Sequence, residues 1–418
     1  MTHTSLASWL SYIESQHPSE IELGLERGNT VLARLNLSRP KHKVITVAGT
    51  NGKGSTCAML TQYLCAQGYS VGTYTSPHFL HFNERIALND SPCDDDMLCR
   101  AFDAIETARE GVALTYFEFS TLAALWIFDQ SKLDYWVLEV GLGGRLDSVN
   151  MVDTDVAVVT SIALDHMDWL GDNLDVIARE KTGIARKDKL LISGVVNPPS
   201  TIASTAQEIG AILRQKSEDF HFSRNGGVWS WLGEDVQYDN LPVPALPLQN
   251  AATVVAVLVY MGFTPTQADL STLFANAQLT GRFQQVASSP DVYIDVAHNP
   301  EAAVELSLRL SELPTKPIAV CGMLKDKDID AVMDHLSGSF SRWFCCDLPG
   351  PRGAKASELI KSISQQSHKS SLEEYSFQSV REAFAAALAQ ARVEHCPVIV
   401  FGSFVTVSEY LALSQLKE

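Results

Sequence analysis

A glycine-rich stretch near the start of the chain carries the residues best suited to hold phosphate. A short β-branched run at 44–47 stops at the sequence GTNGKGST, residues 49–56, and a helix-compatible segment at 57–67 follows. This order is that of a phosphate-binding loop, in which backbone N–H groups and the positive end of a helix dipole face the anion. Lys53 would reach the β- and γ-phosphates, and the hydroxyl of Ser55 or Thr56 would contact Mg²⁺.

The loop departs from the general pattern G-x-x-x-x-G-K-[ST] at two positions. Val47 stands where the first glycine belongs, and Gly54 separates Lys53 from Ser55. Turns rich in glycine, asparagine and lysine also join strands to helices without binding a ligand. Because the strand and the hydroxyls are in place, we expect a phosphate-binding site, although such a loop alone does not name a reaction.

Three further predicted strands of the first half end in polar side chains. Ser76 follows one strand, Glu139 ends another, and Asp165-His166 follow a third. The carboxyl ends of parallel strands share one edge of a sheet, and a hydroxyl, a carboxylate and an imidazole there would suit Mg²⁺ beside phosphate oxygens. Histidine is less usual for this hard cation, and each residue alone is an ordinary loop residue, so both interpretations stay open. Lys181, in a helical pattern with a neighbouring acid, has the pattern of a solvated lysine.

The composition is that of a globular protein. The 418 residues are 46% hydrophobic and 19% charged, and the length favours two domains. A net charge of −17 argues against a general nucleic-acid or anionic-membrane binder, but not against ATP, for which a local nest of N–H groups suffices.

Eight cysteines without a C-x-x-C pair and no secretion signal predict a cytoplasmic protein with reduced thiols. No apolar run is long enough to span a membrane.

Alternating strand and helix patterns predict an α/β protein. The first part should be a phosphate-loop domain with a mostly parallel sheet, interrupted at 219–248 by small antiparallel strands. A boundary lies near 279–283, after which the alternation restarts in a smaller, Rossmann-like α/β domain. We therefore predict domains at 1–280 and 290–418 joined by a linker at 281–289. Nothing in the sequence indicates oligomerisation, and we expect a monomer.

Seven motifs, in order and over nearly the whole chain, resemble the folylpolyglutamate synthase branch of the Mur ligase superfamily. Gly54, awkward for a general phosphate loop, is a feature of this branch. The motifs are GTNGKGS at 49–55, TSPH at 75–78, EVGLGGRLD at 139–147, DH at 165–166, EKTG at 180–183, GRF at 281–283 and DVAHNP at 295–300.

The resemblance implies a ligase reaction. ATP phosphorylates a carboxylate, and the amine of an amino acid attacks the acyl phosphate to form an amide and release phosphate. With the acceptor and ATP on the first domain and L-glutamate on the second, the domains would have to close and exclude water. The substrates implied are dihydropteroate, reduced folates and L-glutamate, with ATP and two Mg²⁺ ions.

The resemblance also implies roles for individual residues. Lys181 matches a lysine that family members carbamylate, which turns a cation into a carboxylate-like ligand for a second metal. The catalytic residues implied are Lys53, Lys181, His166 and Arg282. The metal ligands implied are Ser76, Glu139, His166, carbamylated Lys181 and Ser55. The nucleotide contacts implied are Thr50, Asn51, Gly52, Lys53, Gly54, Ser55, Asn250 (adenine), Arg282 (γ-phosphate) and Asp295 (ribose). His298 and Ser403 are candidates for glutamate binding or for closure of the second domain.

The segment LTYFE at 114–118 resembles the pterin-binding segment of bifunctional bacterial members. Phe117 would stack on the flat pterin ring, whereas the pattern alone indicates aromatic side chains that bury a helix start. Asp147 would bond pterin nitrogens. The substrate-side residues implied are Thr115, Tyr116, Phe117, Glu118, Glu22, Leu23, Gly24, Leu146, Asp147 and Ser148.

Two other functions compete with this interpretation. A cell-wall ligase of the same superfamily would need an additional N-terminal domain for its nucleotide sugar, and only about 40 residues precede the loop. A phosphate-loop NTPase switch or phosphotransferase would explain Lys53 and Glu139, but it would give no role to Lys181, Arg282 or a second α/β domain.

Overall fold

The computed structural model describes residues 4–17, 22–37, 43–366 and 373–415. The chain divides into two compact units, Met1–Ala277 and Gln278–Glu418. No helix in these described ranges is long and apolar enough to cross a membrane.

The first unit combines an eight-stranded sheet, a three-stranded sheet and ten helices within its described residues. The strands are β1 Lys43–Ala48, β2 Val71–Tyr74, β3 Ile86–Leu88, β4 Ser91–Pro92, β5 Tyr135–Glu139, β6 Val156–Val159, β7 Leu190–Ser193, β8 Ile212–Gln215, β9 His221–Asn225, β10 Val228–Leu232 and β11 Gln237–Pro242. The helices are α1 Leu6–Glu14, α2 Glu26–Leu35, α3 Lys53–Ala66, α4 Asp95–Arg109, α5 Tyr116–Ser131, α6 Met167–Leu170, α7 Leu174–Thr182, α8 Ser200–Ile209, α9 Leu248–Tyr260 and α10 Gln267–Asn276.

The large sheet has the strand order β4-β3-β2-β5-β1-β6-β7-β8. All pairs from β2 to β8 are parallel, while β3 and β4 form an antiparallel edge. Strands β1, β5 and β6 are almost wholly buried, and β1 and β6 are rich in Val and Ile, as expected when helices cover both faces of a parallel sheet. Consequently β2, β5, β1 and β6 are four consecutive neighbours, and their carboxyl ends share one edge.

Helices α4 and α5, which cover part of this sheet, start at side-chain caps. The Asp94 side chain accepts from Met97 N–H at the start of α4, with Asp95 and Asp96 in its first turn. Helix α3 packs against β2, β5 and α9, and α5 packs against α4 and β2. Trp9, Phe102 and the other large side chains of these helices fill the core.

The small sheet β11-β10-β9 is antiparallel, and it occupies the segment where the sequence predicts small antiparallel strands. Trp229 and Trp231 of β10 are fully buried. The indole N–H of Trp231 donates to the Ala252 carbonyl of α9 over 3.0 Å, which fixes the small sheet against this helix.

The second unit is a six-stranded sheet with five helices in its described part. The strands are β12 Gln284–Ser288, β13 Asp291–Ile294, β14 Ile318–Cys321, β15 Arg342–Cys346, β16 Glu373–Phe377 and β17 Val398–Phe401, and the helices are α11 Pro300–Ser311, α12 Ile329–Leu336, α13 Ala356–Gln366, α14 Val380–Glu394 and α15 Phe404–Gln415. Its order is β12-β13-β17-β14-β15-β16, parallel except for the β12–β13 pair.

The predicted fold class is confirmed, including the mostly parallel first sheet, the antiparallel addition and the smaller α/β unit. The segment at 281–289, expected as a linker, contains β12, which pairs with β13 at the edge of the second sheet. Its polar sequence, Gln-Gln-Val-Ala-Ser, carries little strand signal because an edge strand buries few side chains.

Candidate active site

The predicted phosphate loop connects β1 to α3 and is closed by its own lysine. Lys53 opens α3, and its Nζ donates to the carbonyls of Gly49 over 3.0 Å and of Thr50 over 3.2 Å. The loop is therefore wrapped around the ammonium group that the sequence assigns to phosphate.

The segment after β6 braces this loop. The Thr50 hydroxyl donates to the Ala163 carbonyl over 3.1 Å and accepts from Ala163 N–H at 3.0 Å, and Thr50 N–H donates to the Ser161 carbonyl over 2.9 Å. Asn51 N–H donates to Ser161 Oγ over 3.0 Å, and its carbonyl accepts from Thr160 Oγ1 at 2.6 Å. These contacts give Thr50 and Asn51 a structural role in shaping the loop.

Asn250, in the first turn of α9, lies directly on the loop. Gly52 has φ +86°, and a Cβ there would lie 2.6 Å from Asn250 Nδ2, so only glycine allows this approach. Asn250 is buried. The residue predicted to contact adenine thus lies beside the phosphate loop although it is remote in sequence.

The side chains predicted to hold Mg²⁺ include buried oxygens suited to a cation. The hydroxyls of Ser55 and Thr56 are fully buried and have no hydrogen-bond partner within the described residues. Glu139, at the end of β5, is only 5% exposed, and its Oε2 accepts from Ser76 N–H at 3.1 Å. Since buried polar atoms in native proteins are normally satisfied, the two hydroxyls fit a site that a metal or phosphate ligand would complete.

His166 lies at the same edge, on the exposed segment after β6. It adopts φ +52°, and its N–H donates to Asp165 Oδ1 over 2.8 Å. No group of three or more His, Cys, Asp or Glu side chains in the described ranges forms a metal cluster by itself. A metal here would depend on hydroxyl and phosphate oxygens in addition to Glu139 and His166, as Mg²⁺ sites usually do.

Lys181 is buried, contrary to the interpretation of its pattern as a solvated helix lysine. It lies near the end of α7, is 5% exposed, and its Nζ donates to the Gly49 carbonyl over 3.1 Å. Arg145 fixes this helix by binding Glu180, the residue before Lys181. Arg145 Nη2 donates to Glu180 Oε1 over 2.7 Å, and the Arg145 backbone N–H donates to the Glu180 carbonyl over 2.8 Å. A Cβ on Gly144 would lie 3.0 Å from Lys181 Cα, so the glycine loop after β5 packs tightly against α7.

The predicted pterin segment has two kinds of residue. Thr115 and Glu118 form the capping box of α5, with Thr115 N–H to Glu118 Oε2 at 2.8 Å and Glu118 N–H to Thr115 Oγ1 at 3.2 Å. Phe117 is half-buried and lies over Gly141, where an added Cβ would be 2.5 Å from its ring. The aromatic ring of Tyr116 faces the Arg85 guanidinium at 5.5 Å. Phe117 is thus the side chain of this segment best placed for a ligand, while Thr115 and Glu118 hold the helix start.

Asp147 is a buried carboxylate held by backbone N–H groups. Its Oδ2 accepts from Leu142 N–H at 2.8 Å and its Oδ1 from Val149 N–H at 2.9 Å. Burial raises the pKa of Asp147 to about 6, against the opposing effect of these N–H groups and of the Lys53 charge. Next to it, Ser148 Oγ lies 2.8 Å from Thr121 Oγ1 of α5.

An arginine that the sequence analysis did not select ties the N-terminal segment to this region. Gly24 N–H donates to the Leu146 carbonyl over 3.1 Å. Arg27 forms an ion pair with Glu22 and another with Glu118, where Nη2 lies 3.2 Å from Oε1. Because Arg27 and Glu118 are 91 positions apart, no local pattern could have indicated this contact.

In the second unit, Asp295 organises the turn that carries Arg282. Asp295 Oδ2 accepts from Phe283 N–H at 2.8 Å, and Oδ1 accepts from Ala297 N–H at 2.7 Å. Burial raises the pKa of Asp295, while the Arg282 charge and these N–H groups lower it. The Arg282 guanidinium lies 5.5 Å from the centre of the Phe404 ring, a cation–π arrangement.

His298 and Ser403 both make hydrogen bonds within the second unit. His298 Nδ1 lies 2.7 Å from the Val296 carbonyl, so this nitrogen carries the hydrogen. Ser403 is buried, and its hydroxyl accepts from Thr406 N–H at 3.0 Å and lies 2.8 Å from Thr406 Oγ1. The structure gives Ser403 a capping role at the start of α15, and its predicted role on the glutamate side stays a prediction.

Two family models match the chain: the Mur ligase middle domain over residues 47–240 and the Mur ligase glutamate ligase domain over residues 281–404. The sequence is 46% identical over 408 residues to the dihydrofolate synthase/folylpolyglutamate synthase of Escherichia coli K12, covering 97% of this chain and 94% of that protein. It is 41% identical over 428 residues to the protein of the same name from Haemophilus influenzae, covering 98% and 97%.

Solved structures agree with the sequence comparison. Escherichia coli FolC in complex with DHPP and ADP is similar with a TM-score of 0.94 and 44% identity, covering 100% of this chain and 99% of that one. A bifunctional folylpolyglutamate synthase/dihydrofolate synthase with Mn, AMPPNP and L-glutamate bound gives a TM-score of 0.91 at 43% identity, with 99% of both chains covered.

Proposed function

This chain belongs to the dihydrofolate synthase/folylpolyglutamate synthase branch of the Mur ligase family, and from that membership we propose how its own side chains carry out the ligation. The protein is an ATP-dependent ligase that uses a divalent metal. It joins L-glutamate to dihydropteroate, which makes dihydrofolate, and to the γ-carboxylate of folate glutamates. The reaction passes through an acyl phosphate, the general route of this class.

One observation carries the residue assignment. The glycine loop after β5 touches the proposed pterin side at one end, where Phe117 lies over Gly141. At its other end it touches the phosphate side, where Gly144 packs against Lys181. A substrate with its flat head on Phe117 and its carboxylate beside Lys53 and Lys181 would run along this loop.

On the phosphate side, Lys53 would exchange its two carbonyl acceptors for phosphate oxygens, assisted by the N–H groups at the start of α3. Mg²⁺ would be held by Ser55, Ser76, Glu139, His166 and a carbamylated Lys181. When bound, the metal neutralises charge on the transferred phosphoryl group. We assign Arg282 to the same phosphate, Asn250 to the adenine and Asp295 to the ribose.

On the acceptor side, Phe117 would stack on the pterin ring. Ionised Asp147 would accept hydrogen bonds from the N–H groups of the pterin. The segments 22–24 and 146–148 would form the adjoining wall. His298 is our candidate for the L-glutamate side.

We further propose that the protein is a cytoplasmic monomer that binds neither nucleic acid nor membranes. The net charge of −17 opposes binding to polyanions, and all eight cysteines are free thiols.

The decisive experiment measures phosphate release from ATP in the presence of Mg²⁺ and L-glutamate, with dihydropteroate or tetrahydrofolate added separately. We expect release that depends on L-glutamate with either acceptor. Release without an acceptor would favour a simple ATPase or switch. Release with tetrahydrofolate alone would remove the dihydropteroate activity and leave the ligase assignment standing.

A further inference from the structure

A closed ring of polar contacts joins the three segments that we assign to the acceptor substrate. These segments are 22–24, 115–118 and 146–148. Gly24 N–H donates to the Leu146 carbonyl over 3.1 Å, which joins the first segment to the third. Ser148 Oγ lies 2.8 Å from Thr121 Oγ1, which joins the third to α5. The remaining connection, from α5 back to the first segment, is made by Arg27.

The Arg27 guanidinium holds both sides of that last connection. Towards α5 it forms an ion pair with Glu118: Nε donates to Oε2 over 3.4 Å, and Nη2 lies 3.2 Å from Oε1 without forming a hydrogen bond. Towards the N-terminal segment, Arg27 Nη1 donates to the Glu22 carboxylate. Arg27 Nη2 also donates to the Glu22 main-chain carbonyl over 3.1 Å. Arginine suits this task because its donors lie in one plane, whereas a lysine ammonium presents a single charged point.

The burial of Glu118 explains why an arginine is needed at position 27. Its side chain is 3% exposed and also accepts Thr115 N–H in the capping box. A carboxylate buried to this extent requires a charged or hydrogen-bonded partner, and Arg27 is its cationic partner in the described structure. Glu22, by contrast, is 47% exposed, so Glu118 is the buried end of this connection and Glu22 is the exposed end.

We propose that Arg27 is a positioning residue for the substrate head group: it fixes the segment 22–24 against the start of α5 and so shapes the wall that meets the bicyclic pterin. The inference rests on the proposed function for the identity of the ligand. It assigns Arg27 to recognition of the acceptor and gives it no part in phosphoryl transfer, because its ion pairs all lie on the acceptor-side segments.

The test compares Arg27→Gln, Arg27→Lys and the matched control Arg34→Gln in the full-length protein. Arg34 lies on the same helix and binds the carbonyls of Ala108 and Arg109, away from the three segments. For Arg27→Gln we expect the KM for dihydropteroate to rise about tenfold, with kcat and the KM for ATP within about twofold of wild type. Arg27→Lys should recover part of this loss, and Arg34→Gln should leave all three constants unchanged.

A second readout does not depend on turnover. Hydrogen exchange at the Gly24 amide should become faster in Arg27→Gln, while exchange in the phosphate loop and in Arg34→Gln stays as in the wild type. If the KM for dihydropteroate and the exchange at Gly24 both remain at wild-type values, the inference is wrong. A parallel fall of kcat and of ATP affinity would also overturn it, because that result indicates a general loss of structure.

The exchange measurement keeps this inference separate from the proposed function. If the wild-type protein releases no phosphate with dihydropteroate, the proposed dihydropteroate activity fails. Exchange at Gly24 would then still decide whether Arg27 orders the segment. The single variant Glu22→Gln and the double variant Glu22→Gln/Arg27→Gln complete a cycle read by exchange at Gly24: the effect of the double variant should be smaller than the sum of the two single effects, and strictly additive effects would contradict a direct contact.

Discussion

Lys53 and Lys181 donate to the same atom, the carbonyl oxygen of Gly49, over 3.0 and 3.1 Å. Their nitrogens therefore lie no more than about 6 Å apart, a distance at which two positive charges in a partly buried site repel each other. A phosphate anion between them, or conversion of Lys181 to a carbamate, would remove this repulsion. The arrangement therefore favours binding of an anion and a change in the charge of Lys181.

Replacement of Lys53 by alanine should lower turnover by roughly 10²-fold or more, because the charge developing on the transferred phosphoryl group loses its fixed partner. Phosphate release measures the effect. Lys187→Ala, an exposed lysine of the same unit, serves as the control and should retain wild-type turnover. Near-normal turnover of Lys53→Ala would exclude the assigned role.

Lys181→Ala should also lose roughly 10²-fold in turnover, and small ions should reveal the charge of the missing group. If Lys181 acts as a carbamate, added acetate should restore part of the activity and methylammonium should not. Rescue by methylammonium alone would show that the residue works as a cation.

Asp147 should impose a pH dependence on recognition of the acceptor. Because its pKa is about 6 and the bound pterin would require the ionised form, kcat/KM for dihydropteroate should fall about tenfold for each pH unit below about 6. Asp147→Asn should lower kcat/KM at neutral pH and abolish that acid limb. An unchanged acid limb in the variant would assign it to another group.

The same shift predicts the sign of a stability effect. The folded-state pKa of Asp147 lies above the unfolded value, so the native protein binds more protons between about pH 4 and pH 6. The contribution of Asp147 to the free energy of unfolding should therefore be largest below this window and be lost as pH rises through it. Urea unfolding of the wild type and of Asp147→Asn at both ends of the window would measure the difference.

Gly141→Ala should weaken acceptor binding selectively. The new Cβ would lie 2.5 Å from the Phe117 ring and displace it, and overpacking of this kind costs about 1–3 kcal/mol. We expect the KM for dihydropteroate to rise about tenfold while the KM for ATP is unchanged. Gly227→Ala, where the added Cβ meets no atom within 4 Å, is the control.

Asp295→Ala should destabilise the turn that carries Arg282. Two backbone N–H groups, of Phe283 and Ala297, would lose their acceptor, and the free energy of unfolding should fall by about 2 kcal/mol or more. Urea denaturation tests this. The exposed contact of Asp291 with Gln285 provides the comparison, and Asp291→Ala should change stability by no more than about 0.5 kcal/mol.

Local sequence patterns predicted the elements that carry the site. Alternation of buried strands and helices gave the two α/β units, and the glycine spacing placed Lys53 at the start of α3. The pattern Thr115-x-x-Glu118 is a capping box in sequence as well as in structure, so the same residues that resemble a pterin-binding segment also fix the start of α5.

Local sequence patterns cannot predict contacts between residues that are far apart in sequence. The bracing of Thr50 by Ala163, the approach of Asn250 to Gly52 and the pairing of Arg27 with Glu118 each depend on how the sheet brings distant segments together. Among the described strands, β16 pairs only with β15, at the edge of the second sheet, and its position likewise depends on the assembled topology.

The reciprocal hydrogen bonds between the Thr50 hydroxyl and the Ala163 backbone mean that the loop around Lys53 is preorganised. Its conformational entropy is lost when the sheet assembles, because β1 and β6 are adjacent strands of the core. Nucleotide affinity then need not include the cost of ordering this loop. The backbone of residues 49–56 should accordingly superimpose in nucleotide-free and nucleotide-bound crystals. The side chains of Lys53 and Lys181 should instead change conformation on binding.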